Sequence, residues 1–391
     1  MNNTVLSAAG SLALFVLVGC AQSSGESAQP TPATANREWT FVYYMSYDND
    51  LATNSPIILD SLEKSVKGNS IAVTVLVDDQ ETNGLKRYAI TRDRRVMSKL
   101  NTDDSASVEV VSDYLEWVRK TYPARHYAVV FLDHGGRLDE MCMDEQSDGK
   151  TERKWLSASL VGPTLREFRQ KVSPGDVELL FLQQCGRGTI ENLYNFRGAA
   201  AAIMTSQLGV GTPNTYYLPT LQWLASRTNT TGRELARQIM TTDEHFNNYV
   251  CVDGKALEEL PTRLEPVVTA LLGDRKAAPK PPVGAILCYE FDKETNYDLM
   301  SWLNRAFHEN NRTMEPMNTF RDWVYEKLIL EYAVQPLQKK ELKDLCGLTL
   351  FVPEAAEVRG TYPEYPFYQA GHLASLWQAM YPPRDASRPP R

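Results

Sequence analysis

Val177-Glu178-Leu179-Leu180-Phe181-Leu182-Gln183-Gln184-Cys185-Gly186-Arg187-Gly188 runs from a continuous apolar stretch into a cysteine set among amides and glycines. An apolar run of this length, ended by glycines, reads as a strand buried on both faces of a parallel sheet. Trp39-Thr40-Phe41-Val42-Tyr43-Tyr44-Met45, Ile71-Ala72-Val73-Thr74-Val75-Leu76-Val77 and His126-Tyr127-Ala128-Val129-Val130-Phe131-Leu132 read the same way. Helical spacing lies between them. Val111, Leu115 and Val118 share one face, Leu160, Leu165 and Phe168 another, and residues 189–196 form a third short helix before a strand at 200–204. Strands alternating with helices imply an α/β fold, a mostly parallel sheet flanked by helices.

Two of these strands end in reactive side chains. Leu132-Asp133-His134-Gly135-Gly136 places an imidazole and two glycines at a strand end, and the cysteine run places a thiol at another. Ligands of open α/β sheets bind at the carboxyl ends of strands. A thiol where a helix begins would feel the positive end of its dipole, which favours thiolate. A nearby imidazole can take the thiol proton and later protonate an amine leaving group. The backbone N–H groups of Gly135 and Cys185 are the candidate oxyanion donors. His134 and Cys185 stand 51 residues apart, matching the His-before-Cys separation of caspase-type sites. Asp133 precedes the histidine, but neighbours on a strand point oppositely, so it is not counted in the set. Asp48-Asn49-Asp50 could hold a cation or cap a helix, and capping is the expected role. Residues 209–213 are expected to be a mobile loop. Tyr43, Tyr44 and Tyr47 are expected in the core and its rim.

Composition bounds the alternatives. The 391 residues carry 41 Lys+Arg against 49 Asp+Glu, a net charge of −8. That balance argues against a general nucleic-acid binder. Arg92-Asp93-Arg94-Arg95 reads as a solvated face. With 43% apolar residues, the chain can bury a large core. No HExxH, GxSxG, P-loop or CxxC occurs, and five scattered His offer no evident metal site. No cofactor is expected.

The N-terminus reads as an export segment. Residues 1–19 hold no charged side chain and centre on Leu12-Ala13-Leu14-Phe15-Val16-Leu17-Val18. The apolar stretch is shorter than the ~20 residues a spanning helix needs, which suits a signal peptide. Leu17-Val18-Gly19-Cys20 resembles a bacterial lipobox, in which the cysteine becomes the lipidated N-terminus. Residues 20–36 are small and polar, a flexible tether. The expected location is the bacterial cell envelope, exported and lipid-anchored at Cys20. Export permits disulfides among Cys142, Cys251, Cys288 and Cys346, with buried free thiols equally open.

The expected organisation is an α/β core at 37–245 that holds His134 and Cys185, a helical and Pro-rich connection at 246–284, a C-terminal α/β subdomain at 285–382 and a frayed tail at 383–391. In the subdomain, strands are expected near 285–291 and 348–352, and helices near 297–308, 317–332 and 372–380.

Across about residues 39–380 the chain resembles the clostripain family of cysteine peptidases, relatives of caspases, gingipains and legumains. The resemblance rests on residues 39–45 with Asp48-Asn49-Asp50-Leu51, His134-Gly135-Gly136, Cys185, and the Ser206 strand leading to Tyr216-Tyr217. Gly347-Leu348-Thr349-Leu350-Phe351-Val352-Pro353 is similar to the closing strand. It implies a caspase–haemoglobinase fold, a His134/Cys185 dyad and a peptide or protein substrate. It also implies activation by cleavage between His and Cys, for which the polar loop 137–154, with Lys150, Arg153 and Lys154 exposed, is the candidate. Calcium dependence occurs in the family, and no ligands are assigned here.

One departure bears on specificity. The family usually carries Asp two residues before the nucleophile, and an acid is also common where Gln207 follows Ser206; here both positions are amides, Gln183 and Gln207. An unpaired cationic side chain in a dry pocket costs about 3–5 kcal/mol. Strict Arg/Lys specificity is therefore not expected, and Gln183, Ser206 and Gln207 are read as a neutral substrate pocket. The expected protein is a monomer meeting a membrane through its lipid only. The rival is a non-catalytic surface binding protein on the same scaffold; a transpeptidase is a third reading.

Overall fold

The computed structural model describes residues 37–79, 84–92, 94–147, 150–227, 229–273, 278–335, 344–354 and 362–382. The segments read as a signal peptide, a lipidated Cys20 with its tether, and a frayed tail at 383–391 lie outside them.

Strand β1 (Trp39–Tyr47) is buried along its whole length. Its side chains alternate between two cores: Trp39, Phe41, Tyr43, Met45 and Tyr47 face one, Val42 and Tyr44 the other. Such a strand needs cover on both sides. Helix α1 (Ser55–Ser65) follows, then β2 (Ile71–Asp79), β3 (Lys86–Thr91) and β4 (Arg94–Lys99). Helix α2 (Val108–Thr121), with Ser107 accepting from Val110 N at its start, leads to β5 (His126–Leu132). The hairpin β6 (Glu140–Ser147) and β7 (Lys150–Ser157) precedes α3 (Ala158–Lys171), β8 (Asp176–Gln183), α4 (Ile190–Asn195) and β9 (Ala202–Thr205). Helices α5 (Tyr217–Ala225) and α6 (Gly232–Thr242) come next, α6 opened by a Thr231/Glu234 capping box.

Strands β1, β2, β5, β8 and β9 pair in parallel. The rest of the nine-stranded sheet is antiparallel at its edges: β3 and β4 on one side, β10 (Asn248–Asp253) and β13 (Ile329–Val334) on the other. Between β10 and β13 run α7 (Leu260–Leu272), β11 (Leu287–Phe291), β12 (Glu294–Asp298), α8 (Leu299–Glu309) and α9 (Glu315–Trp323). Strand β14 (Thr349–Val352), α10 (Pro366–Ala370) and α11 (Leu373–Met380) close the described chain. Strands β11, β12 and β14 form a separate three-stranded sheet.

Several expectations change. Residues 246–284 are more than a connection, because β10 lies within them and pairs with β9. The helix read over 317–332 stops early: α9 ends at Trp323, a single π turn follows, and Ile329–Val334 becomes the sheet-edge strand β13. Leu330 and Ala333 pack on the main core, which a period-3.6 reading hides. The C-terminal segment 285–382 therefore contributes to the main sheet as well as building its own. The loop 137–154 is mostly the β6–β7 hairpin, with Lys154 half-buried against Asp104 at 3.3 Å. Cys142, Cys185, Cys251, Cys288 and Cys346 are all free thiols. Tyr43, Tyr44 and Tyr47 are buried, as expected.

Candidate active site

Strand order around β1 reverses: β2 lies on one side and β5, β8, β9 follow on the other. The crevice at such a reversal is where open α/β sheets bind ligands. Three neighbouring strands end there in step. Met45 of β1 pairs with Leu132 of β5, and Leu132 pairs with Gln183 of β8. His134 and Cys185 each lie two residues beyond that rung.

The two turns touch through their backbones. A Cβ on Gly135 would sit 2.1 Å from the carbonyl oxygen of Cys185. Only glycine allows this approach. The buried Arg187 guanidinium donates across the seam to the carbonyls of Gly136 (2.5 Å), Arg137 (2.8 Å), Glu140 (2.6 Å) and Cys185 (3.3 Å). Tyr289 of β11 donates its hydroxyl to Gly135 O at 2.6 Å, and its ring fills the place of a side chain on Gly186, whose φ is +65°. Arg187 and Tyr289 carry no motif, and sequence reading passed over both.

The sulfur is only part-buried. Val210 N–H donates to Cys185 Sγ at 3.3 Å. The expected helix dipole is not next to it: four turn residues separate the cysteine from α4, which has six residues. The donor on the sulfur is instead a backbone N–H from another loop, that of Val210. Residues 209–213 are correspondingly tied down, with Gly211 N bonded to His245 O (2.7 Å) and Asn247 Nδ2 to Gly209 O (2.9 Å). A cleft of about 460 Å³ opens beside them, lined by Gly209, Val210, Gly211, Glu244, His245, Phe246 and Asn247.

At the other turn, Cys142 N bonds His134 O and Gly136 N bonds Glu140 O, while the Gly135 N–H between them takes no partner among the described residues. The His134 ring meets Asp50, with Nε2 2.7 Å from Oδ1. Asp133 points inward, accepting from Asn49 Nδ2 (2.9 Å) and from Met143 N. Burial pushes its carboxyl well above the usual range. Asp133 thus braces the turn without touching the ring.

The sequence profile of the clostripain family matches residues 43–379. The chain belongs to the clostripain family. It is accordingly a cysteine peptidase, a hydrolase with the caspase-like fold. An inactive zymogen C11 protease from Parabacteroides distasonis is 16% identical, with a TM-score of 0.66 over 86% of this chain and 99% of that one. A secreted C11 cysteine protease from Bacteroides thetaiotaomicron, solved with an irreversible peptide inhibitor, is 16% identical, with a TM-score of 0.64 over the same 86% and 99%. A further structure of a secreted C11 protease from that organism scores 0.62 at 12% identity, over 86% of this chain and 100% of that one. No curated protein is similar enough in sequence to match.

In this clostripain-family chain the three residues read as a substrate pocket are turned inward. Gln183 is buried; its amide donates to Asn214 and Tyr217 and accepts from Tyr216 at 2.7 Å. Gln207 donates to Cys288 Sγ (3.1 Å) and Asp298 (3.2 Å) and accepts from Asn248 (3.1 Å). Ser206 donates to Asn248 at 2.9 Å. A buried amide takes whatever partners satisfy it, and the tertiary structure supplies protein partners. These residues support the floor of the site rather than lining it.

The Asp48-Asn49-Asp50 run divides its tasks, and none of the three caps α1, whose N-cap Asn54 makes no side-chain cap bond. Asp48 joins Asp78 and Asp144 in a buried cluster with carboxylate oxygens within 4.8 Å of one another. Hard oxygen donors of this kind suit calcium, which takes six to eight oxygens, so a bound ion would draw on bidentate carboxylates, carbonyls or water as well. Burial, reinforced by mutual repulsion, pushes Asp48 up to about 6 and Asp78 up to about 8. Ser105 donates its hydroxyl to Asp78 (2.6 Å) and its N–H to Asp144 (2.9 Å). The Ser105 bonds satisfy two of the three carboxyls, and the raised groups keep their protons to higher pH than ordinary ones. Among the described residues, no helix is long and apolar enough to cross a membrane.

Proposed function

We propose that the chain hydrolyses peptide bonds through Cys185 as nucleophile and His134 as base and then acid. The observation that supports this reading is the Leu132–Gln183 rung, at which adjacent strands β5 and β8 end in step, so that both turns leave the sheet from one level. The imidazole takes the thiol proton as sulfur attacks the scissile carbonyl. It returns that proton to the departing amine, leaving a thioester that water hydrolyses. The N–H groups of Gly135 and Cys185 would bind the oxyanion. The Val210 N–H donates to the sulfur and fixes its position in the turn. We assign no cofactor to these steps, because nucleophile, base and acid are all on the chain.

Neither 183 nor 207 offers a carboxylate to a cationic side chain, since both carry amides and both amides are taken up by protein partners, so cleavage is not confined to Arg/Lys. The substrate is a peptide or protein, taken by a monomer. Export and lipidation at Cys20 rest on the lipobox-like run, and secretion of the Bacteroides relatives supports export. Cys20→Ala should abolish incorporation of labelled palmitate.

The deciding experiment treats the purified chain with an irreversible thiol-directed peptide probe and a peptide library. Labelling should map to Cys185, and Cys185→Ala should lose both labelling and turnover while keeping its melting temperature. Equal turnover by that variant would refute the reading, and a wild-type chain that takes no label would favour a non-catalytic binder.

A further inference from the structure

We propose that Asp50 is the positioning residue of this site, holding His134 in the tautomer and orientation that proton transfer needs. The proposal rests on the Cys185/His134 reading above. A carboxylate only accepts, so the 2.7 Å contact places the ring proton on Nε2 and leaves the lone pair on Nδ1. Nδ1 is then the atom that takes the thiol proton, and the imidazolium formed is stabilised by the facing negative charge. Without the carboxylate, the neutral ring samples both tautomers and swings, and the transfer geometry is lost.

An exposed carboxylate can hold a ring only if its own backbone is held. Asp50 is 78% exposed at its side chain, yet Asn49 before it is locked. The Asn49 amide donates to Ser46 O (3.1 Å), Asp133 Oδ1 (2.9 Å) and Met143 O (3.0 Å), and accepts from Leu51 N (3.0 Å). The residues on either side of Asp50 are thus pinned to β1, to the His134 turn and to β6. Little ordering remains to be done when the Asp50–His134 contact forms. The contact also crosses the β1–β5 reversal, so the two strands that open the crevice supply its two halves.

The test compares wild type with Asp50→Asn, Asp50→Gly and Asp50→Glu on one peptide substrate. Turnover should fall by about tenfold or more in the Asn and Gly variants, because proton transfer by a positioned group contributes about 10²–10⁴-fold. KM should change by less than about twofold and the melting temperature should hold, as for a loss confined to the transition state. Asp50→Glu should recover part of the rate. Added acetate should rescue Asp50→Gly, since the exposed site admits a small carboxylate. A purely structural role predicts no acetate rescue, so loss without rescue overturns the proposal. Full activity in both Asn and Gly variants overturns it too, while leaving the dyad standing. A wild-type chain that neither turns over nor takes the probe at Cys185 overturns the dyad and this proposal together.

Discussion

Gly135 and Cys185 meet backbone to backbone, so closely that a Cβ on the glycine would overlap the cysteine carbonyl oxygen at 2.1 Å. The separation of the imidazole turn from the thiol turn is therefore set by a missing side chain. Gly135→Ala must push the turns apart. A misplacement near 1 Å can cost about 10²-fold in rate, and that is the loss expected in turnover. Gly68→Ala, whose Cβ would meet only Ser70 Oγ at 3.9 Å, is the matched control and should be silent. Comparable turnover in the two variants would exclude this steric account.

Arg187 joins the same two turns by four carbonyl contacts. Arg187→Lys keeps the charge but not the planar fork. Each orphaned buried acceptor costs about 1–3 kcal/mol. A lower melting temperature and slower labelling of Cys185 are expected together. A lysine variant that labels at the wild-type rate would show that the fork is dispensable.

Gln183→Asp restores the acid usual in the family, yet it should not create Arg specificity. The side chain at this position faces Asn214, Tyr216 and Tyr217, where a carboxylate would lose the amide donors. Destabilisation without new cleavage after Arg is the expected outcome in a cleavage-site profile. Efficient Arg cleavage would mean that position 183 can reach the substrate.

Stability should fall as pH rises through the neutral range. Asp78 and Glu191 are buried, which pushes each up to about 8, and Asp48 up to about 6, against an ordinary value near 4. The folded state then binds protons that the unfolded state has released. Their contribution is complete below about 4 and disappears as pH climbs through 6 and 8, at up to about 1.4 kcal/mol per pH unit for each group. Melting temperatures measured from pH 4 to 9 should decline, and Asp78→Asn should flatten the slope. A rise across that window, or an unchanged slope in the variant, contradicts the assignment.

The parallel strands were readable because burial on both faces leaves an unbroken apolar run, as in β1, β2, β5 and β8. Strand β13 was not, since Ile329–Val334 continues a helical pattern and becomes a strand only because β10 offers it an edge. His134 and Cys185 stood out by their glycines and their strand ends. Asp50 did not, because nothing local separates an acid that reaches an imidazole 84 residues away from one that caps a helix.

Local periodicity was enough for the α/β class, short motifs carried the resemblance to the family, and glycine-flanked strand ends marked His134 and Cys185 as candidates, since each signal is written in a short run of the chain. The direction in which Gln183 and Gln207 point, the donor on the cysteine sulfur and the partner of the histidine ring were decided by tertiary contact. Hydrogen bonds are short-ranged and directional, so their partners depend on which distant backbones the sheet brings within about 3 Å.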